Sequence, residues 1–243
     1  MNRILGQRIW SIQMHFRIAY PFLHDVHFRE KVSEIMKVVV LGANGRTGML
    51  VVNEALARGE TVTAVVRSDA KRPTTRHERL TVLVGDPCDP DFLSDAFRDQ
   101  DVVISALGGR RPSKKATSIY WKSADAITEA AAATGLKRAI FTSTALLFPA
   151  GNLFGRALRA LVPNVVRSAR RMEERLFASD LDVIFARCGF LSDAEETAYR
   201  AERGALPAAG SSVSRPSLAQ FLVDKVQSPF SGRQVYGVSR PAA

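Results

Sequence analysis

One short stretch constrains this chain more than any other. The apolar run Val38-Val39-Val40-Leu41 breaks into glycines at Gly42, Gly45 and Gly48. A run that is apolar at every position, not at every second one, reads as a strand buried on both faces. Both faces can be covered only if helices flank a parallel sheet. Glycine lacks Cβ and tolerates positive φ. Gly42 then permits the tight exit from the strand, Gly45 lets backbone approach a ligand, and Gly48 lets the next helix pack on the sheet. That helix would begin near Arg46 and point its free N–H groups and positive dipole end at the turn. Strand, glycine turn and helix at the start of a βαβ unit predict a pyrophosphate-binding site. The G-x-x-x-x-G-K-[ST] pattern is not matched, which argues against an ATPase.

The rest of the chain repeats this alternation. Strands are predicted over Lys37–Leu41, Thr61–Val66, Leu80–Val84, Asp101–Ala106, Arg138–Thr142, Leu181–Arg187 and Gln234–Val238. Helices are predicted over Arg46–Arg58, Asp89–Arg98, Ala116–Thr134, Val165–Ala178 and Leu218–Gln227, with "GALPAAGSSVSRPS" as loop. Such a pattern predicts an α/β fold, a Rossmann-like doubly wound parallel sheet with helices on both faces. Residues 36–243 read as one domain. Residues 1–35 do not fit the scheme. They carry His15, His24 and His27, interleave Arg3, Arg8 and Arg17 with apolar residues, and hold no acid before Asp25. They read as an N-terminal extension, a flexible arm or the product of a start codon placed too early, because Met36 stands directly before the first strand.

Bulk properties narrow the class. No apolar run reaches the ~18 residues of a membrane-spanning helix. Cys88 and Cys188 form no CxxC or zinc spacing, so a reducing cytoplasm is expected, with neither a disulfide framework nor a metal site. A net charge of +10 suits solubility or an anionic small molecule, and the scattered basic residues do not outline a nucleic-acid surface. His77 and the cluster from Arg167 to Arg171 read as solvated.

The second strand bears on which dinucleotide binds. An NAD site usually places Asp or Glu at its end to bind the ribose 2′-OH. Here "TVTAVVRSDAKR" ends it with Arg67 and Ser68. With Arg46 from the turn, two guanidinium forks and a hydroxyl suit a 2′-phosphate and predict NADP(H).

The motifs "VLGANGRTG", "VGDPCDP", "VVISALGG", "FTSTALLF" and "RRMEERLFASDLDVIFARCGFL" together resemble the atypical short-chain dehydrogenase/reductase families. The NmrA-like and biliverdin/flavin-reductase-like NAD(P)H-binding branches are the nearest, from residue 36 to about 238. The resemblance implies that Asp86 lies near the adenine, that Ala106, Leu107 and Gly108 line the nucleotide, and that Arg187 to Leu191 close over the nicotinamide. The candidate cofactor-binding set is then Gly42, Asn44, Gly45, Arg46, Thr47 and Gly48; Arg67 and Ser68; Asp86 and Pro87; Ala106, Leu107, Gly108 and Thr142; and Arg187, Cys188, Gly189, Phe190 and Leu191. Cys188 also reads as a buried apolar filler.

One departure concerns catalysis. Better-known relatives use a Tyr-x-x-x-Lys pair, but none of Tyr20, Tyr120, Tyr199 and Tyr236 has Lys four residues on. Val165 and Ala169 stand about where the pair would fall. The resemblance points instead to Thr144, with Ser143 beside it, as hydroxyls that orient a substrate carbonyl or a water; both also suit local strand-end hydrogen bonds. Two functions follow. One is an NADP-dependent oxidoreductase acting on a flavin, quinone-like or other conjugated small molecule. The other is a non-catalytic NADP-binding sensor with a regulatory protein partner. Either is expected as a monomer or small homo-oligomer.

Overall fold

The run that opens the sequence is a strand buried on both faces. Val38 and Val40 pack into one core and Val39 and Leu41 into another, all fully buried. The structure, a computed structural model, describes residues 34–109, 111–149 and 153–241. The expectations for residues 1–33, their histidines included, lie outside the described residues.

The elements in chain order are β1 Lys37–Leu41, α1 Arg46–Ala57, β2 Thr61–Val66, β3 Leu80–Val84, α2 Pro90–Phe97, β4 Val102–Ser105, α3 Lys114–Thr117, α4 Ile119–Thr134 and β5 Arg138–Thr144. They continue with α5 Leu153–Leu161, α6 Pro163–Phe177, β6 Asp182–Cys188, β7 Phe190–Ser192, β8 Arg200–Arg203, β9 Ser212–Ser214, α7 Arg215–Gln227 and β10 Arg233–Ser239. The main sheet runs β3-β2-β1-β4-β5-β6-β10-β8, parallel except where β8 pairs antiparallel with β10. Its first six strands form the Rossmann order, which reverses direction between β1 and β4 and opens a crevice there. A short parallel pair, β7 with β9, lies apart from it.

Each sheet face carries one core. On one, Val51, Val52, Ala55 and Leu56 of α1 meet Leu218, Phe221, Leu222 and Val226 of α7. On the other, Leu93 and Phe97 of α2, Ile127 and Ala131 of α4, and Met172 and Leu176 of α6 cover Phe141 and Phe185. Glu60, 1% exposed, ties the first layer together. It accepts from the Met36 N–H and from the Gln227 side chain, each at 2.7 Å.

Local signals explain the helix ends. The Asp89 side chain accepts from the N–H groups of Asp91 and Phe92, and Pro90 follows at the first helical position. Ser214 caps α7 by accepting from Ser217 N–H. Two expectations need correction. The helix predicted over Ala116–Thr134 starts earlier and breaks at Ser118, where the Thr117 and Ser118 hydroxyls bond back to the carbonyls of Ser113 and Lys115. The stretch predicted as loop, "GALPAAGSSVSRPS", contains β9 and the first turn of α7.

Candidate functional site

The crevice at the reversal point is a cleft of about 680 Å³. Its floor is the glycine turn. Gly42 has φ 79°, a conformation that L side chains rarely adopt. Gly45 is the N-cap of α1 in extended conformation and offers no side chain to the first-turn N–H groups; no acidic residue occupies that turn either. The α1 N-terminus therefore opens on the cleft with no side chain of its own first turn to compensate its partial positive charge. Asn44, Arg46 and Thr47 line the same wall.

Most of the remaining lining comes from the carboxyl ends of strands or the segments after them, with α3, α4, α6 and α7 closing the rest. Arg67 follows β2, Pro87 follows β3, Ala106, Leu107 and Gly108 follow β4, and Thr142, Ser143 and Thr144 end β5. Cys188, Gly189 and Leu191 come from the end of β6 and from β7. Most of the predicted set thus meets in one place. Arg67 is exposed and makes no hydrogen bond or ion pair among the described residues.

Five predicted residues do not line the cleft. Gly48 lies behind the turn, where an added Cβ would sit 2.1 Å from the Gly42 carbonyl oxygen, so its role is helix–strand packing. Ser68 stands before the 3-10 turn Asp69–Lys71, makes no side-chain cap hydrogen bond and does not line the cleft. Asp86 accepts from Cys88 N–H at 2.9 Å, which holds its own turn. Phe190 is 57% exposed on β7. Arg187 turns away to Glu173, with Nη2 2.5 Å from Oε2 and Nε 3.1 Å from Oε1. A lone sequence motif does not show that a buried carboxylate from helix α6 awaits that guanidinium.

Arg46 lines the cleft but is engaged. It reaches Asp193 Oδ2 at 2.8 Å, while Arg215 Nη1 reaches Oδ1 of the same carboxylate at 2.6 Å. One acid just beyond β7 thereby bridges the glycine turn and the start of α7. Burial pushes the Cys188 thiol up to about 12, and its Sγ donates to the Ser143 carbonyl at 3.3 Å. This is the filler reading.

Tyr120 and Arg215 belong to the cleft although no sequence motif marks them. Tyr120 on α4 lines the cleft, and burial raises its pKa, so at neutral pH it offers an O–H. Arg215 heads α7, its side chain 10% exposed. Val165 and Ala169 do face the cleft and present apolar groups to it. The described residues hold no group of three or more His, Cys, Asp or Glu placed to share a metal ion. No helix among them is long and apolar enough to cross a membrane.

Comparison with known proteins bears on this cleft. A family profile described as NAD(P)H-binding matches residues 42–229. The photosystem II assembly factor Ycf39 of Synechocystis sp. (strain ATCC 27184 / PCC 6803 / Kazusa) is 31% identical over 109 residues, which is 44% of this chain and 33% of that protein. The match thus spans only about a third of that relative's length. Among solved structures, a Rossmann-fold NAD(P)-binding family protein from Shigella flexneri aligns with TM-score 0.68 at 23% identity, over 86% of this chain and 95% of that one. A wide-type short-chain dehydrogenase/reductase from Veillonella parvula DSM 2008, in complex with NADP, gives 0.69 at 23%, over 85% and 95%. ChuY, an anaerobillin reductase from Escherichia coli O157:H7, gives 0.68 at 23%, over 85% and 98%. At these identities the structures establish the shared fold.

Proposed function

Since this chain belongs to the NAD(P)H-binding family, we propose that it is an NADPH-dependent reductase of a conjugated small molecule, a flavin or quinone-like acceptor. The observation that carries the reading is the α1 N-terminus, with no side-chain cap and no acid in its own first turn, facing a cleft lined largely by strand ends. A dinucleotide fits it. The α1 first turn would hold the pyrophosphate, Ala106 to Gly108 and Gly189 would flank the nucleoside parts, and unpaired Arg67 would hold a 2′-phosphate. When bound, such a cofactor would supply a hydride, and a solvent proton completes the two-electron reduction. The chain itself orients and shields: Thr144 and Tyr120 offer hydroxyls to the acceptor, while Val165 and Ala169 keep the wall dry. Two solved relatives support this choice, one an NADP complex and one named a reductase.

The test is NADPH oxidation by the full chain against a panel of flavins and quinones, with NADPH and NADH titrations beside it. Turnover with at least one acceptor is expected. Arg67→Ala should weaken NADPH binding about tenfold or more and leave NADH nearly untouched, because a well-formed charge-assisted contact contributes roughly 1.5–3 kcal/mol. Equal losses for both nucleotides would remove Arg67 from the 2′-phosphate.

One observation favours a second reading. Apolar Val165 and Ala169 leave the cleft without a tyrosine–lysine pair, which suits an NADP-binding sensor that acts on a protein partner. Tight NADPH binding with no turnover on any acceptor would select it.

A further inference from the structure

Ser143 and Thr144 stand together at the end of β5, yet their hydroxyls have opposite hydrogen-bonding character. The β5–β6 register sets Ser143 beside Arg187, and Glu173 reaches over both from α6. Arg187 grips both oxygens of Glu173, at 3.1 Å and 2.5 Å, and its guanidinium lies 4.8 Å from the centre of the Phe148 ring. The group is buried: Ser143 is 8% exposed and Glu173 4%. A carboxylate held in a guanidinium fork has no proton to give and only accepts. The 2.6 Å contact from Ser143 Oγ to Glu173 Oε1 therefore uses the one proton that serine has. What Ser143 keeps for the cleft it lines is lone pairs. Thr144 differs, because its Oγ1 accepts from Leu146 N–H at 3.3 Å and its proton stays available.

We propose that Ser143 is a specificity-determining acceptor, selecting substrates that carry an N–H or O–H on the reducible ring system over those that offer only carbonyl oxygens. The proposal rests on the reading of the cleft as the acceptor site of a reductase. Glu173 and Arg187 are positioning residues, which act by fixing the direction of one proton. A carbonyl placed against Ser143 would set lone pair against lone pair, and a buried mismatch of that kind is costly. An amino or hydroxyl group there completes the chain from substrate through Ser143 and Glu173 to Arg187.

The experiment uses the full chain saturated with NADP⁺ and two probes of nearly equal shape, menadione and its analogue with an amino group in place of the methyl. Each is titrated against wild type and Ser143→Ala, and NADPH oxidation is followed with both in parallel. The quantity read is the preference, the ratio of the two dissociation constants, so each probe's intrinsic affinity cancels between proteins. Wild type should prefer the amine, and Ser143→Ala should shrink that preference at least about fivefold, the worth of one hydrogen bond. Should Ser143→Ala fail to fold, Ser143→Cys must show the same shrinkage, since a thiol accepts only weakly. An unchanged ratio, or a wild type that prefers menadione, overturns the proposal. Oxidation of NADPH without a preference would leave the reductase reading standing and remove Ser143. A preference without oxidation would do the opposite, and the loss of both would sink both.

Discussion

Gly48 is a position where a change that normally helps a helix should do harm. Glycine to alanine inside a helix usually gains about 0.5–1 kcal/mol. Here the new Cβ would lie 2.1 Å from the Gly42 carbonyl oxygen and 2.8 Å from its carbon, and overpacking costs about 1–3 kcal/mol. Gly48→Ala should therefore lower the melting temperature. At Gly45 the nearest atom to a new Cβ is 3.2 Å away, so Gly45→Ala should melt close to wild type while its NADPH titration weakens. Equal melting temperatures for wild type and Gly48→Ala would contradict the packing account. The thiols set a pH limit. Burial is the main cause that pushes Cys88 up to about 11, helped by Asp86, and Cys188 up to about 12. An unfolded thiol titrates near 8.5, so above that pH the unfolded chain loses these protons first and the native state holds more. Stability is then fully present at neutral pH and declines as pH rises from about 8.5 towards 12. Tyr199, raised by burial and by its bond to Asp224, adds to the decline from about pH 10. Urea midpoints across that range check this, and Cys188→Ala should flatten the slope.

At the scale of elements, Arg138 joins a strand to a helix. Its Nη2 donates to the carbonyls of Lys225, Val226 and Ser228 at 3.2, 2.9 and 2.8 Å. These are carbonyls of the last turn of α7 and of its C-cap Ser228, which lack intrahelical partners, and a cation there also complements the helix dipole. Arg138→Met should cost about 1–3 kcal/mol and speed amide exchange in the last turn of α7; unchanged exchange would show that the cap is idle. The elements that the sequence predicted are those with strong burial patterns. β1, β2 and β3 match to the residue because each is bounded by turn signals and paired along its length. β7 is exposed at all three positions and β8 at three of four, so neither bears the alternation or apolar run that marks a strand. The glycine turn and the strand ends of the cleft were legible because topology alone places them. Tyr120, Arg215 and Asp193 were not, since each depends on how a distant segment folds back. The hold of Glu173 on Arg187 was hidden for the same reason: the register that brings the two together is a tertiary fact.

At the scale of the whole molecule, residues 35 to 241 close their own sheet around two cores. Met36 N–H donates to Glu60 at 2.7 Å, and in a chain begun at Met36 that group becomes an ammonium, which strengthens the bond. Such a shortened protein should unfold cooperatively within a few degrees of the full chain and bind NADPH equally well. Non-cooperative melting would show that the first 35 residues are part of the fold. The packing of α1 on α7 has a consequence for synthesis. Arg58 and Asp224, joined by a 2.5 Å ion pair, are 166 residues apart. A nascent chain on the ribosome therefore carries the apolar face of α1 uncovered until α7 has been made, and such faces invite aggregation. Chains that stop short of α7 should accumulate as insoluble protein, and the demand on chaperones lasts from the emergence of α1 until α7 has been made.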